Sequence, residues 1–357
     1  MAPLNTMIAN GAKRAAYGAS QAARVLWYTG HYAYGRRLMG PLTEPGEAPY
    51  AEEFGPLDRD RLKSSFKELF HRDWKNIEAG EYKLPKESRR MPSFRRMLRE
   101  SRDYLSDAQN VARRKHTRGH SEVLTEAQRA KYPRYYLQNF HYQTDGWLTE
   151  SSAERYDMQV ETLFTGSADA MRRQALPRIR HALSGRDMTD ASLLDIGCGV
   201  GRFLESVKDN WPVLPVTALD LSPAYLTKAQ TRLGRFRDVT FVQGKAEDTQ
   251  LAAQSYDVIT AVYLFHELPP AIRQDVVAEC ARLLKPGGKM IIVDTIQYGD
   301  ESGFDILLEN FPRGFHEPYY DSYCRTDLSA LMDAEGLTKI DETVAFLSKI
   351  SMFEKLV

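Results

Sequence analysis

The run Ser192-Leu193-Leu194-Asp195-Ile196-Gly197-Cys198-Gly199-Val200-Gly201 decides how this chain folds. Leu193 to Ile196 is short and apolar, the signature of a parallel strand buried on both faces. Three glycines follow at alternate positions, and Arg202 to Lys208 then reads as a helix. Glycine has no Cβ, so the chain can turn tightly there and a ligand can approach the backbone. Alone, the turn is ambiguous. Dinucleotide-binding folds use the related spacing G-x-G-x-x-G, whereas this one is G-x-G-x-G.

The residues downstream settle its meaning. Val216-Thr217-Ala218-Leu219-Asp220 is a second strand ending in an acid, placed where adenosine ribose hydroxyls would meet it. Val239 to Val242 is a third strand and runs into Gly244-Lys245-Ala246-Glu247-Asp248, an acidic loop placed to meet an adenine amino group. Tyr256 to Val262 is a fourth, and Lys285-Pro286-Gly287-Gly288-Lys289 turns into a fifth at Met290 to Val293. Segments 339–344 and 346–353 supply two closing antiparallel strands. Strands alternating with helices predict an α/β fold, a doubly wound, Rossmann-like, mostly parallel seven-stranded sheet with a helical N-terminal extension.

This series resembles the class I S-adenosylmethionine-dependent methyltransferases over nearly all of residues 190–357. The resemblance implies S-adenosyl-L-methionine as cofactor and methyl transfer as the activity. It puts the methionine end on Gly197, Gly199 and Gly201, with Asp195 and Cys198 beside them. It implies that Asp220 holds the ribose, that Leu221 packs on the adenine, and that Ala246 with Glu247 or Asp248 contacts it; Tyr263 closes the set. A narrower resemblance runs from about Tyr132 to the C-terminus. It is carried by Asn139 to Trp147 and by Tyr263-Leu264-Phe265-His266-Glu267-Leu268-Pro269, and links the chain to uncharacterised methyltransferases of bacteria and plant plastids.

Acceptor chemistry is less legible. Beyond the fourth strand, His266 is a candidate general base that Glu267 orients, or a residue capping the next helix. The aromatic segment Tyr135 to Trp147 is either a lid, with His141, Tyr142 and Gln143 near the methyl end, or a brace anchored by Phe140 and Trp147. A third cluster, His316, Glu317, Tyr319, Tyr320 and Tyr323, joins Tyr135, Trp147 and Phe265 as a ring-rich wall suited to a flat or apolar acceptor. Two His-Glu pairs and His141 match no common ligand spacing, so no metal is expected.

The bulk numbers bound the remainder. The chain has 357 residues, with 48 basic and 48 acidic, so it has no net pull on nucleic acid, and no nucleic-acid partner is expected. Three cysteines, Cys198, Cys280 and Cys324, are too few for a disulfide framework, which makes a cytoplasmic location the expectation. Four regions follow: a basic amphipathic helix at 1–40, a linker and charged helices at 41–131, a cap at 132–185, and the methyltransferase domain at 186–357. The acid-free start mixes Trp27, Tyr28, Tyr32 and Tyr34 with Arg24, Arg36 and Arg37. That suits a membrane interface, the protein's own surface, or a targeting segment. The acceptor is then small or lipid-like and hydrophobic, methylated at a membrane surface. The alternatives are a soluble O- or N-methyltransferase of small metabolites, and an assembly protein that retains the fold.

Overall fold

The computed structural model describes residues 4–39, 55–89 and 93–356. The linker residues Pro41, Pro45 and Pro49, and Arg90 of the charged helical region, lie outside them. The sheet has seven strands: β1 (Leu193–Ile196), β2 (Val216–Asp220), β3 (Val239–Gln243), β4 (Tyr256–Val262), β5 (Leu284–Thr295), β6 (Leu337–Ala345) and β7 (Ser348–Lys355). Their order is β3-β2-β1-β4-β5-β7-β6, parallel from β3 to β5, with β7 antiparallel to both neighbours. β1 lies between β2 and β4 in the interior of the sheet and is buried throughout. Alternation sorts its side chains: Leu193 joins one hydrophobic core, while Leu194 and Ile196 join the other on the opposite face.

Among the described residues, fourteen α-helices surround the sheet or precede it. Before it come α1 (Leu4–Met39), α2 (Arg59–Ala79), α3 (Lys86–Arg89), α4 (Phe94–Thr117), α5 (Glu126–Arg129), α6 (Glu150–Leu163), α7 (Ala168–Arg173) and α8 (Leu176–Ala182). Between and after the strands come α9 (Arg202–Asn210), α10 (Pro223–Leu233), α11 (Pro270–Leu283), α12 (Asp305–Gly314), α13 (Tyr320–Cys324) and α14 (Leu328–Asp333). α2, α7, α8, α9 and α10 pack on one face, and α11, α12 and α14 on the other. A single helix over 168–183, which the pattern predicts, is broken into α7 and α8. Pro177 sits in the first turn of the second one, and proline cannot donate the N–H that continuity needs.

α1 is one unbroken helix despite its four glycines, because it lies against α2, α3, α4 and α6. Tyr17 donates to Asp73 at 2.6 Å, and Arg24 reaches Asp169 and Glu161, each at 3.1 Å. Its ring and cation residues thus face the protein at several points. Asp73 is fully buried and also accepts from the Tyr82 hydroxyl, while the Arg173 guanidinium grips it through two nitrogens at 2.7 and 3.0 Å. No described helix is long and apolar enough to cross a membrane.

Candidate active site

The carboxyl ends of β1, β2 and β4 open into one cavity holding about 770 Å³ of empty space. Strand order reverses between β1 and β4, so the loops diverge there and leave room for a ligand. The three glycines after β1 all take left-handed backbone angles, with φ of 70°, 54° and 72°. Their roles differ. A Cβ on Gly199 would meet nothing within 4 Å, so the missing side chain keeps the floor open. A Cβ on Gly201 would sit 3.1 Å from both Ala229 and Leu233, so this glycine lets α9 pack against α10.

Asp220 is held from two sides, by the Gly199 N–H on Oδ2 and the Ser222 N–H on Oδ1, each at 2.8 Å. Burial pushes its carboxyl up to about 6, against the pull of those N–H donors. Asp195 lies beneath the loop. It accepts from Thr260 at 2.6 Å, and burial lifts it to about 7. Cys198 is buried beside it. Leu221, Gly244 and Ala246 complete the floor on the β2 and β3 side, with Tyr263, Leu264 and Glu267 on the β4 side. Tyr263 holds φ at 56°, a costly setting for a ring residue and one that recurs at functional positions.

The aromatic segment forms the roof. Tyr135, Tyr136, Phe140 and Trp147 line the cavity, joined by Tyr156 of α6 and Tyr225 of α10. Trp147 stacks on Phe140 and meets Tyr156 and Tyr225 edge-on, with centroids 5.7–5.8 Å apart. The Ser222 hydroxyl, which caps α10, donates to the Trp147 carbonyl at 2.6 Å and pins the roof to the β2 loop. Tyr135 donates to the Glu247 carboxylate at 2.8 Å, and Gln138 donates to the Tyr319 hydroxyl at 2.8 Å. The roof is therefore fastened along three edges. Tyr156 and Tyr225 escape sequence reading because each sits in an ordinary helix with no local motif.

Several expected residues stand elsewhere. Glu247 is engaged by Tyr135, and Asp248 is exposed beside Gln250. Gln143 donates to the Gly146 carbonyl at 2.7 Å, spanning the roof's own turn instead of reaching the glycine loop. Tyr142 is buried with its ring against His316. Phe265, Tyr320 and Tyr323 belong to the hydrophobic core, and both tyrosine hydroxyls are spent on Thr295. Those three pack the sheet and do not reach the cavity. His316 bonds Gln138 at 2.7 Å and stacks on His120.

His266 is engaged by a carboxylate. It is buried with Nδ1 2.6 Å from Asp294. Burial resists its protonation, but Asp294, backed by Glu267 and Glu317, overcomes this and raises its pKa to about 9. An imidazole that holds its proton at neutral pH is poorly suited to be a base. Glu267, 3.9 Å from His266 Nε2, does face the cavity, and burial lifts it to about 7 against the neighbouring imidazolium. His141 behaves oppositely: burial first, then His266 and His316, lower it to about 3, so it stays neutral. Its Nε2 lies 3.0 Å from Glu317. Among the described residues no cluster of His, Cys, Asp and Glu is arranged to hold a metal.

Residues 193–288 match the family model described as a methyltransferase domain. A ubiquinone biosynthesis O-methyltransferase of Vibrio vulnificus is 31% identical over 170 residues, covering 45% of this chain and 69% of that protein. The chain belongs to the S-adenosylmethionine-dependent methyltransferases. S-adenosylmethionine is the cofactor of this family, and the class I fold is the one described above. A demethylmenaquinone methyltransferase of Thermotoga maritima is 28% identical, over 42% of this chain and 60% of that protein. A malonyl-acyl-carrier-protein O-methyltransferase of a Paenibacillus species is 28% identical, over 40% of this chain and 51% of it. The chain thus spans from about half to just over two thirds of the curated relatives it matches. All of residues 1–185 lies outside the methyltransferase family model. Among solved structures, the N-methyltransferase NodS of Bradyrhizobium japonicum is 17% identical with a TM-score of 0.38, over 52% of this chain and 86% of that one. That likeness is too distant to bear on the site.

Proposed function

We propose that the 770 Å³ cavity is the S-adenosylmethionine site and that the chain methylates a small, hydrophobic acceptor under the cover of its N-terminal helical region. The observation that carries this is the Gly199–Asp220 pairing on the floor of a ring-roofed cavity at the strand-order reversal. The cofactor supplies a methyl already activated on a sulfonium. The protein's work is then mainly to hold the acceptor in line and keep water out. Asp220, held by two N–H groups, is positioned to accept ribose hydroxyls. Leu221 and Ala246 offer an apolar seat for an adenine. Glu267 is the carboxyl facing the remainder of the cavity, and the Asp294-bound His266 imidazolium fixes its surroundings.

Calorimetric titration with S-adenosylhomocysteine tests the reading. One site is expected. Hydrogen bonds to a charged acceptor contribute about 1.5–3 kcal/mol each, so Asp220→Ala should weaken binding by at least ~10-fold. Absence of binding by the intact protein, or equal affinity in the variant, would overturn it.

One observation favours a membrane surface as the place where the acceptor is met. Of the eight exposed large hydrophobic residues among those described, Leu26, Tyr34, Leu38, Phe94 and Leu98 all lie on α1 and α4. Because Tyr17 and Arg24 tie α1 into the core, deleting the helix would disturb the fold. Leu26→Glu with Phe94→Glu is the cleaner test. Flotation with phosphatidylcholine–phosphatidylglycerol vesicles should be lost in the double variant, and unchanged flotation would remove the membrane reading.

A further inference from the structure

The single turn Phe265–Glu267 that follows β4 is clamped from behind. Fully buried Asp294, near the end of β5, accepts the Phe265 N–H on Oδ2 at 2.8 Å and the His266 ring on Oδ1 at 2.6 Å. The buried Arg273 guanidinium of α11 donates to the Phe265 carbonyl at 2.9 Å. Glu267 is the next side chain along, and it faces the cofactor cavity. Among the described residues the nearest cation to its carboxylate is His266 Nε2, 3.9 Å away and beyond hydrogen-bond reach. The other charges around it are already matched or absent. The His266 imidazolium is paired with Asp294. Burial keeps Glu317, between α12 and α13, protonated, and His141 beside it neutral. Burial likewise keeps the proton on the Tyr156 hydroxyl of α6. Asp220, at the end of β2, lies on the other side of the cavity and is held by two N–H groups. Glu267 is thus the carboxylate on the β4 side that no contact neutralises.

Strand order sets which end of the cofactor comes near it. Leu221 and Ala246 line the β2 and β3 side, and Glu267 lines the β4 side, with the glycine loop of β1 between them. With adenine over the first side and ribose on Asp220, the sulfonium and its amino-acid tail run past the loop toward β4. We propose that Glu267 senses the positive charge on the cofactor's sulfur, so that the site prefers S-adenosylmethionine to the neutral S-adenosylhomocysteine left after transfer. The proposal rests on the cofactor reading above and deepens it. Burial lifts Glu267 to about 7, with the His266 imidazolium pulling down and Asp294 and Asp220 pushing up. An opposite charge favours the ionised form, so the sulfonium keeps Glu267 deprotonated, and its loss lets the carboxylate regain a proton from solvent. The preference is therefore present above pH 7 and fades as pH falls through that value. Asp220 meets the part common to both ligands, so its own titration cancels in the ratio of their affinities.

Calorimetric titration of the full chain with each ligand, at about pH 7.5 and about pH 5.5, tests this, with Glu267→Gln as the variant that keeps the shape and drops the charge. At the higher pH, the ratio of S-adenosylmethionine to S-adenosylhomocysteine affinity should be at least ~5-fold lower in the variant than in the parent. At the lower pH, where Glu267 is protonated, the two ratios should agree within ~2-fold. The parent's own ratio should fall at least ~3-fold over this range, a reading that needs no variant. Equal ratios in parent and variant at the higher pH overturn the proposal. So does a gap that persists undiminished at the lower pH, because a change of shape alone would produce it, and so does a parent ratio that does not move with pH. Failure of both ligands to bind the parent would instead strike the cofactor reading.

Discussion

Asp220 and Glu267 face the cavity as carboxyls that burial has weakened to about 6 and about 7. A carboxylate accepts hydroxyl protons, whereas a protonated carboxyl has lost half of that capacity. Cofactor affinity should therefore hold above pH 7 and fall as pH drops through 6. Calorimetry at pH 7.5 and pH 5 should show S-adenosylhomocysteine binding weakened by roughly 10-fold at the lower value. A flat profile would mean that Asp220 does not carry the ribose contact. At this scale the glycines and Asp220 were legible because local backbone geometry demands them. His266 was not. Its behaviour depends on Asp294 at the end of β5, 28 residues further on, and no local pattern announces that pairing.

Within the strand-to-helix turn after β1, neighbouring glycines make opposite predictions. Gly201→Ala drives a methyl against Ala229 and Leu233 and keeps an unfavourable φ, so it should lower stability by about 1–3 kcal/mol, read as a fall in melting temperature. Gly199→Ala meets open space and costs only the backbone term, about 1 kcal/mol. Its main loss should appear in cofactor affinity. Equal melting temperatures for the two variants would contradict this division. Strands and their order were readable because a buried parallel sheet writes itself as apolar runs between glycine turns. The roof was only half readable: ring density marked Tyr135–Trp147 as special, but Tyr156 and Tyr225 come from helices without a local motif for the cavity.

Across the molecule, the N-terminal helices and the cap are joined by buried charge. Asp73 receives Tyr17 from α1, Tyr82, and both arms of Arg173 from α7. Asp73→Ala would leave the guanidinium buried and only partly compensated by Glu87, at a cost of about 3–5 kcal/mol, measurable by chemical denaturation. A change under ~1 kcal/mol would show that the helical region is held by apolar packing instead. The basic start of the chain carried no hint of this anchoring, since the partners of α1 are scattered through residues 73 to 169.

Arg24 and Asp169 are 145 residues apart. On a ribosome adding roughly 5–20 residues per second, that separation is on the order of ten seconds or more during which α1 exists without the acid that receives it. A helix of 36 residues with weak amphipathicity must wait for its seat, so translation pauses before Asp169 would prolong the interval in which the nascent chain is open to proteases and chaperones.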